Sequence, residues 1–414
     1  MVGVVGHRKF RLGDSESACL EAETIPLFMP EKVGTELGYL TELVQSGDLS
    51  SDGRFTKACA ELLRERLSAG RVFMVPSGTA ALEMAAMLCG CEEGDEVIMP
   101  SFTFASTANA FLRTGAKPVF TEIRPDTLNL DESAVEKSIT SRTKAIVPVH
   151  YAGVSCEMGP LLKLAQRYGL RLVEDAAQAV NSHYRGEACG AIGDLGAYSF
   201  HSTKNYTCGE GGALCVNDPE LIPRAERIRD KGTNRAGFLR GEVDKYTWVD
   251  SGSSYLPSEL ASAYLYGQLE MLDVVKAQRK QIFQNYLVLL QPLADDGLLR
   301  LPVVPADCKP NHHLFHIVLP NQALRDGLIE YLAKNQIRST FHFVPLHTSP
   351  MGQKLGYREG QLPITEELSG CLLRLPFFTR ITEAQQTRVA KAVSEFLEVE
   401  CGQKKRIPPA ISRC

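Results

Sequence analysis

The stretch Gly196–Asn217, GAYSFHSTKNYTCGEGGALCVN, holds one lysine between two short apolar runs, just ahead of a glycine cluster. GAYSF and GALCV read as buried strands, and the polar segment between them as a tight turn. Most lysines are solvated surface charges. Lys204 is set differently, because a sheet lies on both sides of it and glycines follow. A P-loop is excluded by order: that pattern needs glycines before the lysine and Ser or Thr after it, whereas Asn205 follows here.

Three other groups follow apolar runs in the same way. After RVFMV come Ser77, Gly78 and Thr79, immediately before a helical pattern. Free N–H groups and a hydroxyl at a helix start suit a phosphate, although alone they are more often a plain N-cap. After RLVE comes Asp175. A carboxylate at the end of a buried strand is costly unless paired. It is either another helix cap or the partner of a cationic ring nitrogen. Gln178, one helical turn on, can donate to a neighbouring oxygen of the same ring. After DEVIMPS comes Phe102-Thr103-Phe104, an aromatic pair that is either core or the cover of a planar cofactor. A phosphate cradle, a carboxylate for a ring nitrogen, an aromatic cover and a confined lysine together match pyridoxal 5'-phosphate, whose aldehyde a lysine captures as a Schiff base.

These residues need a scaffold that brings strand ends together. RVFMVPSG, DEVIMPSFT, KPVFTEI, KAIVPVHY and RLVED read as strands. TAALEMAAMLCG, ASTANAFLRTG, DESAVEKSI and MGPLLKLAQRYG read as the helices between them. With GAYSF and GALCV the pattern predicts an α/β fold with a mostly parallel seven-stranded sheet covered on both faces. Ligands of such sheets bind beyond the carboxyl ends of the strands, where the residues above fall. The segment SELASAYLYGQLEMLDVVKAQRKQIFQNYLVLLQPL predicts a long helical run into a smaller α+β domain holding HLFHIVLP, STFHFVPLH and the helix EAQQTRVAKAVSEFLEV. The expected organisation is a loosely ordered extension over 1–24, a large cofactor-binding domain over 25–282, a small C-terminal domain over 283–400 and a tail over 401–414.

Bulk properties narrow the class. The chain has 414 residues, more than one core usually holds. Hydrophobic residues make up 44% and charged residues 23%, the composition of a soluble globular protein. A net charge of -4 argues against a nucleic-acid partner or an anionic membrane surface. The twelve cysteines are scattered; Cys89 and Cys91 form C-x-C, and no metal site is expected. The start MVGVVGHRKFRLGD lacks a charged segment followed by a long apolar core, so a reduced, cytoplasmic protein is expected.

The motifs SGTAAL, PSFTF, EDAAQA and SFHSTKN…GEGGAL together resemble the DegT/StrS family of sugar-nucleotide aminotransferases over about residues 25–400. The resemblance implies the aspartate-aminotransferase fold, fold type I of the pyridoxal-phosphate enzymes. It implies that Lys204 links covalently to the cofactor, Asp175 holds the pyridine nitrogen and Gln178 the ring hydroxyl. Phe104 would stack on the ring, where other members often carry Trp or Tyr. Gly78, Thr79 and Ser199 would bind the phosphate. Many relatives also place an Asn on the partner subunit's phosphate, and Ser254 of GSSYL stands in that position here. A homodimer with shared active sites is implied.

Four stretches are similar to members acting on dTDP-4-keto-6-deoxy-D-glucose: MPSFTFASTANAF, VPVHYAGVSCEM, DKGTNRAGFLRGEVDKYTWVDSGSSYL and FHFVPLH. They imply L-glutamate as donor and dTDP-4-amino-4,6-dideoxy-D-galactose as product, a step of polysaccharide or lipopolysaccharide biosynthesis. Arg235, Arg240 and Lys245 in that third stretch are candidates for a nucleotide diphosphate, or else solvated surface charges. Three alternatives stand beside this reading. One is a 4-aminotransferase giving the gluco amine. Another is a dehydratase of the same fold, disfavoured because those members replace the lysine with His. The third is a regulatory protein of this fold, disfavoured by the intact lysine, carboxylate and cradle.

Overall fold

The computed structural model describes residues 24–401. Apart from Thr24 and Cys401, the expectations for the extension 1–24 and the tail 401–414 therefore lie outside the described residues.

Helices α1 (Glu36–Ser46) and α2 (Arg54–Leu67) precede an alternating run. It comprises β1 (Arg71–Val75), α3 (Gly78–Leu88), β2 (Glu96–Pro100), α4 (Ala105–Leu112), β3 (Lys117–Thr121), α5 (Glu132–Ser138), β4 (Thr143–Ile146), α6 (Met158–Tyr168) and β5 (Arg171–Asp175). A small hairpin of β6 (His183–Tyr184) and β7 (Glu187–Ala188) leads into β8 (Leu195–Ser199) and β9 (Gly212–Val216). The central sheet has seven strands in the order β1-β9-β8-β5-β4-β2-β3. Strand β9 runs antiparallel to both of its neighbours, and the other pairings are parallel. Six strands thus point the same way. Their continuous apolar runs are explained by burial on both faces: one face packs on Ala81, Ala85 and Phe111, the other on Leu63, Leu265 and Val275.

Helices α7 (Ile222–Arg229) and α8 (Arg235–Leu239) follow, then α9 (Glu259–Leu269) and α10 (Leu272–Asp295). The single helical run expected from Ser258 onward is two helices, broken at Glu270 and Met271, just after Gly267. Both sides of the break, Leu269 and Leu272, are buried in the same core, and that packing outweighs helix continuity. Helix α2 begins at Gly53, which offers no side-chain cap. Buried Glu259 of α9 supplies one from a distance, accepting from the N–H groups of Gly53 (3.0 Å), Phe55 (2.8 Å) and Thr56 (3.0 Å) and from the Thr56 hydroxyl.

The C-terminal part contains β10 (Cys308–Lys309), β11 (Phe315–Val318), α11 (Gln322–Lys334), α12 (Pro350–Lys354), α13 (Pro363–Cys371), β12 (Leu372–Leu375) and α14 (Glu383–Cys401). Strands β11 and β12 pair antiparallel over a core of Phe315, Leu328, Leu373 and Val393. The boundary expected at 282/283 falls inside α10, within the helical run expected to join the two parts, and Ile25 packs with the C-terminal core, bridging Ile337 in parallel. STFHFVPLH forms no strand of its own; it touches β12 by a single bridge, Thr340 to Arg374, and then turns its aromatic residues against Phe102 and Tyr151. No helix among the described residues is long and apolar enough to cross a membrane.

Candidate active site

The register of the sheet brings Val75 of β1, Gly212 of β9 and Ser199 of β8 side by side, with Asp175 of β5 next along, opposite Ala197. Helix α3 starts at this line. Ser77 caps it, its hydroxyl accepting from Ala80 N at 3.1 Å. The N–H groups of the first helical turn, Gly78 and Thr79 among them, have no partner within the helix and carry its positive dipole end. A methyl group at Gly78 would stand 2.8 Å from Ser199 Cβ, and one at Gly212 would collide with the Ser77 carbonyl. Glycine at both positions lets two strand ends close on the helix start. The Thr79 and Ser106 hydroxyls lie 2.8 Å apart and tie α3 to the start of α4. The expected phosphate residues Gly78, Thr79 and Ser199 are therefore gathered in one cradle.

Asp175 ends β5 in a buried position. Its Oδ2 accepts from the Thr107 hydroxyl at 2.7 Å and its Oδ1 from Ala177 N at 3.2 Å. Thr103 backs Thr107, with 2.8 Å between their hydroxyl oxygens. The carboxylate is thus held by donors on both oxygens and keeps lone pairs for a further N–H. Gln178 accepts from Ala152 N through Oε1 at 2.8 Å, which leaves the amide NH2 as its donor end.

Lys204 lies on the connection between β8 and β9, and its own N–H bonds the His201 carbonyl at 2.9 Å. Its neighbour anchors the turn: Asn205 donates to the Asn311 carbonyl at 2.9 Å and meets His313 Nδ1 at 2.9 Å. Burial pushes the Lys204 ammonium down to about 8, against the opposing pull of Asp175 and with the added push of Arg374. An amine in that range is neutral often enough to attack an aldehyde at physiological pH. The aromatic pair separates cleanly. Phe102 is core, 1% exposed, whereas Phe104 caps α4 and is 64% exposed, free to cover a flat ligand.

The remaining expected residues lie elsewhere. Ser254 is exposed and bridges Asp230. Arg240 is engaged by Glu226 and Glu242, Arg235 stands 3.6 Å from Asp230, and Lys245 is exposed. Arg235 and Arg240 line a hollow of about 490 Å³ with Arg64, Arg71 and Arg229, alongside α2 and β1. Nothing among the described residues joins Ser254, Arg235, Arg240 or Lys245 to Lys204 of the same chain.

Other residues near Lys204 escape sequence reasoning. Tyr151 Oη is 3.1 Å from His342 Nδ1. Burial pushes His313, His316 and His342 below the usual histidine range, and the charge of Arg374 adds to it in each case. These residues come from separated segments that touch only in three dimensions. Only the run of histidines in NHHLFH and FHF hinted at them.

Residues 30–394 match the DegT/DnrJ/EryC1/StrS aminotransferase family. The chain belongs to this family. It is a sugar aminotransferase with pyridoxal 5'-phosphate as cofactor, built on the type I α/β fold. Among curated relatives, the spore coat polysaccharide biosynthesis protein SpsC of Bacillus subtilis is 34% identical over 90% of this chain and 97% of its own. A pleiotropic regulatory protein of Geobacillus stearothermophilus is 36% identical over 77% of this chain and 83% of its own. Among solved structures, S. venezuelae DesV in complex with a ketimine intermediate is 32% identical with a TM-score of 0.82, covering 91% of this chain and 99% of that one. The residues present fit the cofactor: an anion cradle, an acceptor carboxylate, a donor amide, an exposed aromatic ring and a depressed lysine all lie at or just beyond the carboxyl ends of the parallel strands.

Proposed function

We propose that this aminotransferase moves the amino group of L-glutamate to C4 of dTDP-4-keto-6-deoxy-D-glucose, giving dTDP-4-amino-4,6-dideoxy-D-galactose and 2-oxoglutarate. The observation that carries the transamination is Lys204, a buried amine set among Asp175, Gln178 and the Gly78–Ser199 cradle. The substrate rests on the four sequence stretches above. The printed name of the B. subtilis relative, a polysaccharide biosynthesis protein, agrees with a glycan precursor. One relative carries a regulatory name; the complete chemical set in this chain favours catalysis.

When bound, the cofactor supplies an electron-withdrawing ring that stabilises negative charge on the donor's α-carbon. Lys204 Nζ would hold the cofactor and, once free as a neutral amine, would take and return the donor's α-proton. Asp175 would accept from the ring N–H and favour the protonated nitrogen by opposite charge. Gln178 donates to the ring oxygen. Gly78, Thr79 and Ser199 take the phosphate, and Phe104 covers the ring face.

The working unit in this reading is a homodimer with two identical sites, Ser254 approaching the phosphate of the partner's cofactor. At least one of Arg235, Arg240 and Lys245 serves the diphosphate from the neighbouring subunit. A hollow with several arginines facing acidic side chains agrees with a surface completed by another chain. Light scattering should give twice the chain mass; an active monomer refutes the shared site. Free thiols among the described residues agree with a cytoplasmic reaction.

The deciding experiment incubates the purified yellow enzyme with glutamate and a panel of keto-sugar nucleotides, and reads the product configuration at C4 by NMR. An equatorial amine identifies the gluco enzyme instead. Amination of a 3-keto sugar alone overturns the substrate assignment.

A further inference from the structure

The side chains of His150 and Glu174 are wholly buried, and the chemistry above uses neither. Glu174 precedes Asp175 on β5, so the two carboxylates leave opposite faces of the strand. Four donors satisfy Glu174: Gly190 N at 2.7 Å, Ile192 N at 2.8 Å, Gly193 N at 2.7 Å and His150 Nε2 at 2.8 Å. The same bonds fix the imidazole tautomer. Cys156 N donates to His150 Nδ1 at 3.1 Å, so Nδ1 is the acceptor and Nε2 carries the proton that Glu174 takes.

This imidazole closes a turn that reaches the candidate cofactor residues. Asp175 N bonds the Pro148 carbonyl at 2.9 Å, and His150 N bonds the Asp175 carbonyl at 3.1 Å. Two residues further on, Ala152 N donates to Gln178 Oε1 at 2.8 Å. An N–H can only donate, so this bond decides which end of the amide is oxygen and leaves the NH2 end free. Ala152 presents that N–H from the left-handed region, at φ 57°, which residues with a Cβ rarely adopt. Such a conformation persists where the surroundings hold it. The bond from Cys156 N to His150 Nδ1 ties the two ends of the turn together, and Glu174 seats the ring that ties them. Asn129 braces the same turn, accepting from Tyr151 N at 2.9 Å and donating to the Val154 and Ser155 carbonyls at 3.1 and 2.9 Å. The turn therefore has support for folding besides the imidazole.

We propose that His150 is a positioning residue for Gln178: its ring, seated on Glu174, holds the Ala152 N–H where it orients the Gln178 amide. The inference rests on the reading of Gln178 as the donor to the cofactor's ring oxygen. Fully satisfied buried networks rigidify what they join. This one joins the 190–193 loop, the end of β5 and the turn over Gln178. His150 touches the cofactor residues through backbone atoms alone, so its influence passes through Ala152.

The test is a pH titration of the cofactor's visible absorption in the holoenzyme, without substrate. A donor to the ring oxygen favours its charged, deprotonated form. Gln178→Ala removes the donor and should raise the midpoint by about 0.5 to 1 pH unit, the worth of one hydrogen bond. Two variants each cut one link of the imidazole. His150→Gln still reaches Glu174 but leaves the Cys156 N–H without its acceptor, and His150→Asn keeps an acceptor for Cys156 but falls short of Glu174. Each should raise the midpoint in the same direction by at least about 0.3 pH unit, a part of the same hydrogen bond. Combined with Gln178→Ala, neither should add to it, since both act through one group. If one of the two fails to fold, the other carries the comparison. A folded His150 variant with the wild-type midpoint, or a shift that adds in full to that of Gln178→Ala, overturns the inference and leaves the role of Gln178 standing. A wild-type midpoint in Gln178→Ala itself overturns that role, and the inference with it.

Discussion

Lys204 is the group whose titration can be followed without any cofactor chemistry. Burial lowers it from 10.5 to about 8, with Arg374 pushing the same way and Asp175 opposing. At pH 7.5 about a quarter of a group with that value is unprotonated, against about one part in a thousand for a free lysine. The neutral amine is therefore enriched roughly 200- to 300-fold. The two neighbours should move the midpoint in opposite directions. Asp175→Asn removes the charge that favours the ammonium and drives Lys204 lower still. Arg374→Gln removes a like charge and lets it rise. The assay is competitive acetylation of the apoprotein from pH 6 to 11, with the Lys204 peptide quantified by mass spectrometry against an exposed lysine. A wild-type midpoint near the free-lysine value, or shifts of the two variants in the same direction, would refute the electrostatic account of this site.

Three more outcomes follow from the same geometry. Asp175→Asn should keep its cofactor but lose turnover by about 100-fold or more, since an opposite charge in contact moves a ring pKa by one to three units; a rate within a few-fold of wild type contradicts the role. Lys204→Met should abolish transamination and stabilise the apoprotein at pH 7 by up to about 3 kcal/mol in urea denaturation. The sign is set because the folded pKa lies below the unfolded one: between about 8 and 10.5 the unfolded chain binds more protons, wild-type stability rises with pH, and the variant's advantage fades. Glu259→Gln should cost about 2 to 3 kcal/mol, because one amide oxygen cannot replace a carboxylate taking four hydrogen bonds at the start of α2; an unchanged urea midpoint would dismiss the remote cap.

Much of the sheet is legible in the chain because doubly covered strands must be apolar along nearly their whole length, as RVFMV, EVIMP and GALCV are beyond the leading Arg71 and Glu96. The chemical residues are legible for a related reason. Asp175 ends such a run, Ser77–Thr79 come just after one, and Lys204 lies on the turn between two, so finding the strands finds the carboxyl-end line. What stays hidden depends on contacts between distant segments. Arg374 looks like an ordinary alternating polar residue of LLRL until β12 is placed beside Tyr151 and Thr340. FHFVPLH alternates like a strand, but Phe343 packs against Phe102, and the His347 ring bridges Ser101 Oγ at 2.7 Å and Glu366 at 2.8 Å. That packing overrides the local pattern. The break between α9 and α10 is hidden likewise, since two buried leucines decide it. Arg240 carries pairings that its type does not reveal: a cation that suits phosphate is engaged by two carboxylates within its chain.

The reversal of β9 also has a bearing on how the chain is born. Strand β1 pairs only with β9, from Arg71 opposite Val216 to Val75 opposite Gly212. At about 5 to 20 residues per second, a ribosome needs roughly 7 to 30 s to deliver β9 after β1 has emerged. Throughout that interval an apolar strand and the apolar helix behind it wait without their partner, the kind of exposed edge that nascent-chain chaperones cover. Ser77, Gly78 and Thr79 wait with them, since Ser199 and Gly212 complete the cradle only when β8 and β9 arrive. Vitamin B6 in the growth medium therefore cannot rescue an early folding defect in this protein; it can only hold together a sheet that is already closed.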